Sequence, residues 1–377
     1  MAEKILIVGG GVAGLMAKNR LEALGYTPVL AEKAETLRSE GTGLVLAANV
    51  MKVFRAAGLE KAILEKAQVL DTLLSTDQTG REIGYIDLKK IHEERGYPSI
   101  TIHRHDLHDI FTASVDPETI HLSHRLVSLE RTDNGYDVAF ENGEKETYDR
   151  VIGADGIHSQ VREQLFGPVG LRHTQQGCWR FVMDIPEGVD PRVAIEMWGD
   201  RKRVGIIPIG GGKVYCFMVG MMQGGEAAMD AHVALGLFDE FEGEWAKIKK
   251  AVNPEKLEIL FGELADAEAI TLTKDGVVLI GDAAHSTTPN LGQGAAMGIE
   301  SAFFFSEFLK GHSFDEAIGL YVSKRHNKVK AIREKSMMMG NMAHTKSKIK
   351  QALRNFIMRL MPQTMTQKEF EKSIFDD

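Results

Sequence analysis

The sequence predicts an α/β protein in which a Rossmann-like domain is interleaved with a β-sheet domain and followed by C-terminal helices. A short apolar run at residues 4–8 leads directly into a glycine-rich turn and then a helical pattern. A second buried-strand run at residues 274–280 also ends in a glycine-rich turn that leads into a helix. The segments between these two units alternate apolar and polar residues as half-buried strands do.

Composition limits the function classes. The chain has 377 residues, of which 44% are hydrophobic and 26% are charged, so it can bury a substantial core without a metal or a disulfide. Its 45 basic and 53 acidic residues give a net charge of -8, which disfavours nucleic acid as a partner. Cys178 and Cys216 form no metal-binding or redox spacing, and no leader or membrane-spanning run is visible. We therefore expect a cytoplasmic protein.

The N-terminal turn carries three glycines at the spacing of a dinucleotide fingerprint. Gly9 allows the tight turn, Gly11 lets the backbone approach a pyrophosphate, and Gly14 lets the helix pack on the strand. Val12 and Ala13 open the helix, whose unpaired N–H groups and positive dipole end face the phosphates.

A carboxylate follows the second strand. The run at residues 27–31 ends in Glu32, where a carboxylate can accept hydrogen bonds from both hydroxyls of an adenosine ribose, and Lys33 comes next. A strand, a glycine turn, a helix and an acid at this distance together predict dinucleotide binding, whereas the glycine motif alone is weak evidence.

The second glycine-rich unit indicates a flavin rather than a nicotinamide. Gly281 permits close backbone approach, and Asp282 can hydrogen-bond a polyol such as a ribityl chain. From about Gly294 the spacing becomes helical, which creates a second anion site suited to negative charge on a flavin ring. A third segment, residues 151–162, places Asp155 and Gly156 in a turn after a strand.

These three segments, in this order, resemble the class A flavoprotein aromatic hydroxylases, the para-hydroxybenzoate hydroxylase superfamily. The resemblance spans roughly residues 4 to 330 and includes the loop and helix at 39–59 and an R-x-x-L arrangement at Arg104 and Leu107. The family usually continues its last motif with Glu-Asp-Ala, whereas this chain has Glu300-Ser301-Ala302. That departure lies beyond the expected flavin contacts.

The resemblance implies FAD as the bound cofactor and assigns roles to individual residues. Arg104 would bind the diphosphate side, Asp155 would lie near the pyrophosphate and the path of the pyridine nucleotide, and Asp282 would hold the ribityl chain. Pro289 and the segment from Gly292 to Ala295 would line the isoalloxazine, with Pro289 at the catalytic position. The expected FAD-binding residues are Gly9, Gly11, Val12, Ala13, Gly14, Glu32, Lys33, Gly43, Arg104, Val127, Asp155, Gly281, Asp282, Gly292, Gly294 and Ala295.

The resemblance also implies a roof of β-strands over the flavin. The pattern around Arg203 is similar to the roof edge of urate-hydroxylase-like members, so Arg203 is the candidate to anchor or polarise a substrate oxygen. A solvated charged turn is the alternative for this arginine. Trp179, Tyr215 and Phe217 are candidates for pocket walls, with ordinary packing as the alternative.

We predict three regions from these assignments. The FAD-binding domain is discontinuous and takes residues 1–70, 101–170 and 267–330. The substrate-binding sheet takes residues 71–100 and 171–266, and a helical region takes residues 331–377.

The predicted function follows from the cofactor. The resemblance implies an NAD(P)H-consuming monooxygenase that hydroxylates an electron-rich aromatic or heteroaromatic molecule through a flavin C4a-hydroperoxide, with dioxygen as co-substrate and NADPH or NADH as a transient donor. An oxidoreductase without oxygen insertion and a non-catalytic flavin-binding module are the alternatives. His103, His105 and His108 imitate a metal cluster, but His108 falls in the following helix, so we expect no metal. A monomer or a homodimer is compatible with the sequence.

The C-terminal region has its own charge pattern. Residues 321–361 contain eleven Lys and Arg residues and one acid, Glu334. Ile349, Ala352, Leu353, Phe356, Ile357, Leu360 and Met361 recur at helical steps, opposite Lys346, Lys348, Lys350, Arg354 and Arg359. We expect this amphipathic helix to dock on its own protein and leave its charged face in solvent, with attachment to a membrane surface as the less favoured alternative.

Overall fold

The structure is a computed structural model, and it describes residues 3–37, 41–222, 230–345 and 347–375. Residues 39–40, at the start of one segment that resembles the family, and Lys346 lie outside these ranges. The strands are β1 (Ile5–Val8), β2 (Val29–Ala31), β3 (Gly43–Leu46), β4 (Gln68–Leu70), β5 (Thr72–Asp77), β6 (Glu82–Asp87), β7 (Ser99–His103), β8 (Ile120–His121), β9 (Leu126–Thr132), β10 (Gly135–Phe140), β11 (Lys145–Tyr148), β12 (Arg150–Gly153), β13 (Leu171–Asp184), β14 (Val193–Trp198), β15 (Arg203–Ile209), β16 (Lys213–Met221), β17 (Leu260–Ala267), β18 (Thr273–Lys274) and β19 (Val277–Leu279).

Helices separate and cover these strands. They are α1 (Val12–Ala23), α2 (Ala48–Ala56), α3 (Glu60–Lys66), α4 (Leu88–Arg95), α5 (Arg104–Ala113), α6 (Gln160–Phe166), α7 (Ala231–Gly236), α8 (Gly243–Ala251), α9 (Asp282–His285), α10 (Gly294–Phe308), α11 (Phe314–Ala343), α12 (Lys348–Leu360) and α13 (Gln363–Phe375).

A six-stranded sheet forms the centre of the nucleotide-binding half. Its order is β18-β19-β12-β1-β2-β8, and β1 pairs in parallel with both β12 and β2. All four residues of β1 are buried, as expected for a parallel strand covered on both faces. Helix α1 leaves the carboxyl end of β1 and packs against α10. The predicted α/β class with a Rossmann-like unit is confirmed.

A seven-stranded sheet forms the second layer, in the order β17-β13-β16-β15-β14-β5-β6. Its pairs are antiparallel except β14 with β5. One face, which we call the outer face, buries Phe181 and Met218 in one apolar cluster with Trp245 of α8. The opposite, inner face carries Tyr215, which packs in a cluster with Ala48 of α2 and so lies against the nucleotide-binding half. The sheet therefore covers that half from one side. The division of the chain into the three predicted regions remains a prediction.

The C-terminal helices dock on the edge of this sheet. Gln367 of α13 receives a hydrogen bond from the backbone N–H of Asp87 and donates one to its carbonyl, both at 3.0 Å. In α12, Arg359 donates to Asp77 at 2.7 Å, and Arg354 lies over the ring of Trp198 at 4.8 Å. Arginines of the charged face of α12 thus contact the rest of the protein, while its apolar face is exposed to solvent. The sequence predicts the opposite orientation, with the charged face in solvent. Within the described residues, none of the helices is both long enough and apolar enough to cross a membrane.

A buried ion pair joins α10 to α2 and α11. Glu300, which is 3% exposed, accepts a hydrogen bond from Asn49 at 2.6 Å and one from the fully buried Arg325 at 3.0 Å. Lys328 lies 3.7 Å from the same carboxylate. Because these charges are out of water, each depends on the other for compensation.

We expect Glu300→Gln to lower the free energy of unfolding by about 3 kcal/mol, because it leaves the buried Arg325 without its counter-charge. Urea denaturation of both proteins measures the difference. Glu60→Gln is the control, because it removes one partner of a surface pair with Arg55 and should cost less than about 1 kcal/mol. Equal losses in the two variants would contradict the assignment.

Candidate active site

The first glycine turn has two closely packed sides and one open side. Gly9 has a φ of +109°, and a Cβ there would lie 2.5 Å from the carbonyl oxygen of Ala154. A Cβ on Gly14 would lie 1.9 Å from the carbonyl oxygen of Gly9, so α1 sits directly on the turn. A Cβ on Gly11 would meet nothing within 4 Å. The turn is therefore closely packed against backbone at Gly9 and Gly14, and it leaves open space at Gly11.

Glu32 fixes this turn as well as presenting a carboxylate. Its Oε2 accepts a hydrogen bond from the backbone N–H of Gly10 at 2.6 Å, and its Oε1 accepts one from Ala34 at 2.9 Å. On the other side, the buried His108 donates from Nε2 to the carbonyl of Gly10 at 2.9 Å. Sequence reasoning missed this role of His108, because the visible signal at that position was a misleading cluster of histidines. Lys33 is exposed.

The two helices that meet at this site have uncapped N termini. No side chain caps α1 after Gly11 or α10 after Gln293, whereas Ser159 caps α6 and Ser313 caps α11. The unpaired N–H groups of such an end attract an anion. The helices approach closely because a Cβ on Gly298 would lie 3.3 Å from the Cβ of Ala13.

Asp282 stands beside these helix ends, as the first residue of α9. A φ of +60° at the preceding Gly281, whose Cβ would lie 2.9 Å from that of Ala13, turns the chain there. The side chain of Asp282 is exposed to solvent on one side but is otherwise enclosed by protein, and this enclosure raises the pKa of its carboxyl. Arg104 and Arg162 act in the opposite direction. No described residue donates a hydrogen bond to this carboxylate.

Unlike Asp282, Asp155 has a carboxylate that accepts several hydrogen bonds within the protein. Its carboxylate accepts hydrogen bonds from Ser159 Oγ at 2.5 Å and from the backbone N–H groups of Gln160 at 2.7 Å and Val161 at 3.1 Å. It therefore stabilises the start of α6, and burial raises its pKa. A role near the pyridine nucleotide remains a prediction. Arg162, which we did not single out from the sequence, ties this helix to the second motif by donating to the carbonyl of Ala283 at 2.9 Å.

The segment before α10 is held in place by hydrogen bonds of Asn290. Pro289 is exposed and begins the 3-10 helix Pro289–Leu291, Gly292 follows with a φ of +63°, and α10 then begins at Gly294. Asn290 donates to Thr288 Oγ1 and to the carbonyl of Ser336, both at 2.9 Å. Ala295 lies in the first turn of α10.

Strand register divides the three candidate aromatic residues. Arg180 lies opposite Phe217, whereas Trp179 lies opposite Met218. Because directly paired residues share a face and neighbours alternate, Trp179 lies on the outer face, where it packs against Phe238 and Phe261. The prediction that Trp179 lines the same pocket as Tyr215 and Phe217 is therefore wrong.

Tyr215 and Phe217 lie on the inner face. A Cβ on Gly43 of β3 would lie 2.6 Å from the Cβ of Tyr215, so the two halves are in close contact at this glycine. A Cβ on Gly205 would lie 1.9 Å from the ring of Phe217, so the ring lies over that glycine. Arg180 is half-buried on the same face. Burial raises the pKa of Tyr215, and the hydrogen bond from Arg180 acts in the opposite direction.

Arg203 joins the sheet to the second motif. Its side chain is buried, and it donates to Glu196 at 3.0 Å and to Asn290 Oδ1 at 2.6 Å. The alternative of a solvated turn is therefore wrong for Arg203, although it fits the exposed Arg201. The Nε of Arg203 has no hydrogen-bond partner among the described residues. A contact with substrate remains a prediction.

Two predicted residues lie at the periphery. Arg104 is exposed at the start of α5, and its effect on the pKa of Asp282 places its charge near that carboxylate. Val127, on β9, is 46% exposed, and its carbonyl accepts a hydrogen bond from Gln164 at 3.4 Å. In the described ranges, no group of three or more His, Cys, Asp and Glu side chains is placed to hold a metal ion.

Comparison with known proteins identifies the family that has this geometry. The family described as an FAD binding domain matches residues 2–336. The chain belongs to this FAD-binding family. It is 30% identical over 361 residues to the aurachin C monooxygenase/isomerase of Stigmatella aurantiaca, with 95% of this chain and 94% of that protein covered.

Further relatives agree with this family of flavoprotein aromatic hydroxylases, so the resemblance given by the sequence is confirmed. The 2-heptyl-3-hydroxy-4(1H)-quinolone synthase of Pseudomonas aeruginosa is 29% identical over 372 residues, with 95% of this chain and 94% of that protein covered. The crystal structure of Klebsiella pneumoniae HpxO complexed with FAD and uric acid superposes with a TM-score of 0.90 at 22% identity. That superposition covers 99% of this chain and 96% of the other.

The residues of this member of the FAD-binding family fit the cofactor. The turn is open above Gly11, and the two nearby helix ends have no side-chain caps. Asp282 offers a carboxylate to which no described residue donates. Glu32 lies one residue beyond β2, on the side of the sheet where the first glycine turn begins. Each feature matches one part of FAD: the diphosphate, the ribityl chain and the adenosine ribose.

We expect Gly11→Ala to weaken FAD binding at least tenfold while leaving the apoprotein folded, because the added methyl group points into open space beside the helix end. Titration of apoprotein with FAD, followed by flavin fluorescence, measures the affinity. Gly236→Ala is the matched control, because its Cβ also meets nothing within 4 Å but lies in α7, away from the turn. An unchanged FAD affinity in Gly11→Ala would contradict this site.

His285 lies inside the second motif but is completely buried. Its Nε2 is 2.9 Å from Ser301 Oγ, and burial lowers its pKa from 6.5 to about 3. The folded protein thus holds this imidazole neutral, in agreement with the structural role that its position suggests.

This shift makes stability depend on pH. Between pH 6.5 and about 3 the unfolded chain binds a proton at His285 that the folded chain does not. Protonation of His285 therefore does not lower the free energy of unfolding above pH 6.5. As the pH decreases from 6.5 toward about 3, that free energy falls by up to about 1.4 kcal/mol per pH unit. We expect His285→Gln to reduce the slope of unfolding free energy against pH between 7.5 and 5. The exposed His92→Gln should keep the parental slope, and a parental slope in His285→Gln would contradict the explanation.

Proposed function

We propose that the protein is an FAD-dependent, NAD(P)H-consuming monooxygenase that hydroxylates an electron-rich heteroaromatic ring of the quinolone type. The observation that carries the proposal is the meeting of two uncapped helix ends, α1 and α10, in the half of the molecule that the inner face of the seven-stranded sheet covers. Such an arrangement suits a cofactor that has a diphosphate at one end and a ring that becomes anionic at the other.

We assign the binding roles as follows. The turn around Gly11 and the N terminus of α1 bind the diphosphate, with Arg104 contributing charge. Glu32 accepts the ribose hydroxyls, and Asp282 accepts those of the ribityl chain. The segment from Pro289 to Ala295 faces the ring, and the N terminus of α10 stabilises negative charge there.

FAD, when bound, supplies hydride acceptance from NADPH or NADH and the activation of dioxygen. Two electrons from the nicotinamide and one proton balance the reaction, in which one oxygen atom enters the substrate and the other leaves as water. The protein positions the ring of the substrate and excludes water from it. Tyr215 and Phe217 serve the second task, because their inner face is closed against the other half of the molecule at Gly43.

The quinolone class is supported by the name of one relative that matches nearly the whole chain. That relative is a 2-heptyl-3-hydroxy-4(1H)-quinolone synthase, and its product carries a hydroxyl group on carbon 3. That carbon is electron-rich, because the ring nitrogen donates into the double bond that carries it. Arg180 and Arg203 are the cations on the inner face that we assign to the ring oxygen, Arg203 through the Nε that has no partner among the described residues.

The test is NAD(P)H oxidation by the FAD-loaded protein in the presence of 2-alkyl-4-quinolones, urate and phenolic acids, under labelled dioxygen. We expect a 2-alkyl-4-quinolone to accelerate oxidation at least tenfold and to gain one labelled oxygen atom, detected by mass spectrometry. Arg180→Met should raise the KM for the quinolone, with Arg192→Met, a surface arginine paired with Asp71, as the matched control.

Three outcomes would contradict the proposal, the first two in full and the third in its substrate class. Oxidation that yields hydrogen peroxide as the only oxygen product with every ligand favours an oxidoreductase without oxygen insertion. FAD binding without any ligand-dependent oxidation favours a flavin-binding module. Labelled urate or phenol in place of labelled quinolone would keep the monooxygenase and reject the quinolone class.

A further inference from the structure

Helix α12 presents its apolar side to solvent. The exposed fractions are 82% for Ile349, 55% for Leu353, 58% for Phe356, 49% for Ile357 and 66% for Leu360. At about 100° per residue, these five side chains form one continuous stripe along the helix. We call this stripe the α12 apolar face. A helix of a globular protein normally turns such a face toward its core, so this exposure needs an explanation.

The opposite side of the helix is the one that docks. Gln351 donates to Asp200 at 2.9 Å, Arg354 donates to the carbonyl of Met342 at 2.9 Å, and Arg359 donates to Asp77 at 2.7 Å. Two of these contacts reach the seven-stranded sheet or the turn that follows β14. The orientation of the helix is therefore fixed by specific polar contacts, which hold the apolar face outward.

The charges beside the apolar face are all positive. At about 100° per residue, Lys350 lies directly beside Ile357 at one edge of the stripe, whereas Lys348, in the first turn of the helix, lies about 80° beyond Phe356 at the other edge. Both lysines are exposed, and within the described residues neither is in an ion pair. The sequence contains no acid between Glu334 and Glu369. Lysines in these positions can extend their ammonium groups outward while their stems cover apolar surface.

We propose that the α12 apolar face docks on the surface of a membrane that contains anionic lipids. The 13-residue helix would lie in the plane of the interface, with Phe356 and Leu353 in the acyl region and Lys348 and Lys350 at the lipid phosphates. A second copy of the chain fits the face less well, because pairing two such helices brings their lysines together without an acid on either helix to balance them. The attachment is peripheral and does not depend on which substrate the enzyme uses.

The experiment is flotation of the FAD-loaded full-length protein with vesicles of phosphatidylcholine and phosphatidylglycerol at a 3:1 ratio. Vesicles of pure phosphatidylcholine and a second series at high salt measure the electrostatic part. We expect binding to the anionic vesicles, a drop of at least tenfold in the partition coefficient with Leu353→Glu/Phe356→Glu, and a smaller drop with Lys348→Gln/Lys350→Gln.

The matched control is Val233→Glu, which places an acid on another exposed apolar side chain, 45% exposed, in α7. It should bind the vesicles as the parent does. Because every substituted side chain is exposed, the variants should keep the parental flavin absorbance and melting temperature, and both are measured to confirm folding.

Three results would overturn the proposal. The first is no preference of the parent for anionic vesicles, and the second is equal binding by the parent and Leu353→Glu/Phe356→Glu. The third is a dimer in analytical ultracentrifugation that dissociates in that variant while vesicle binding is absent, which assigns the face to a second copy of the chain.

Discussion

The close approach of backbone to backbone around the first glycine turn is the constraint on which the rest of the site depends. A side chain at Gly14 would lie 1.9 Å from the carbonyl of Gly9, and one at Gly9 would lie 2.5 Å from Ala154 of the neighbouring segment. Only glycines let β1, α1 and the end of β12 come together at this distance. The same contact directs the free N–H groups of α1 toward the position that we propose for the FAD diphosphate, so in that proposal packing and binding require the same residues.

The second half of the site depends on a junction between layers. Arg203 leaves the sheet to bond Asn290, which in turn bonds Ser336 of α11. Asn290 also fills the space in front of Gly340, where a Cβ would lie 2.5 Å from its amide nitrogen. The segment before α10 is thus held between the sheet and a long helix, which keeps its backbone in place relative to the inner face. Glu196 balances the charge of Arg203, so the junction does not leave a buried charge uncompensated.

The sequence predicted those parts of the site that rest on backbone chemistry, and it failed where a choice between two faces was needed. The spacing of four residues predicted the dinucleotide-binding turn, because a strand, a tight turn, a helix packed on that strand and an acid after the second strand together require it: Gly9, Gly11, Gly14 and Glu32. Trp179 was misplaced because the run at residues 178–182 puts apolar side chains on both faces of the strand, Trp179 and Phe181 on one and Cys178 and Val182 on the other, so the alternation does not say which face meets the cofactor. His108 was missed because a hydrogen bond to Gly10 has no local signature. For α12 the periodicity located the apolar side correctly but did not reveal that the polar side docks.

The docking of α12 by its polar side connects the surface of the molecule with the candidate active site. Arg354 of α12 lies over the ring of Trp198, and Trp198 is the direct strand partner of Arg203 in the pair of β14 with β15. Helix α12 therefore contacts β14, the strand paired directly with β15, which carries Arg203 and through it reaches Asn290 in the segment before α10. Because an antiparallel ladder joins β14 to β15 and makes Trp198 and Arg203 direct partners, the contact of α12 with Trp198 fixes the helix relative to the inner face of the sheet. A membrane surface that binds the α12 apolar face would therefore set the orientation of the seven-stranded sheet, and of the site beneath it, relative to the membrane.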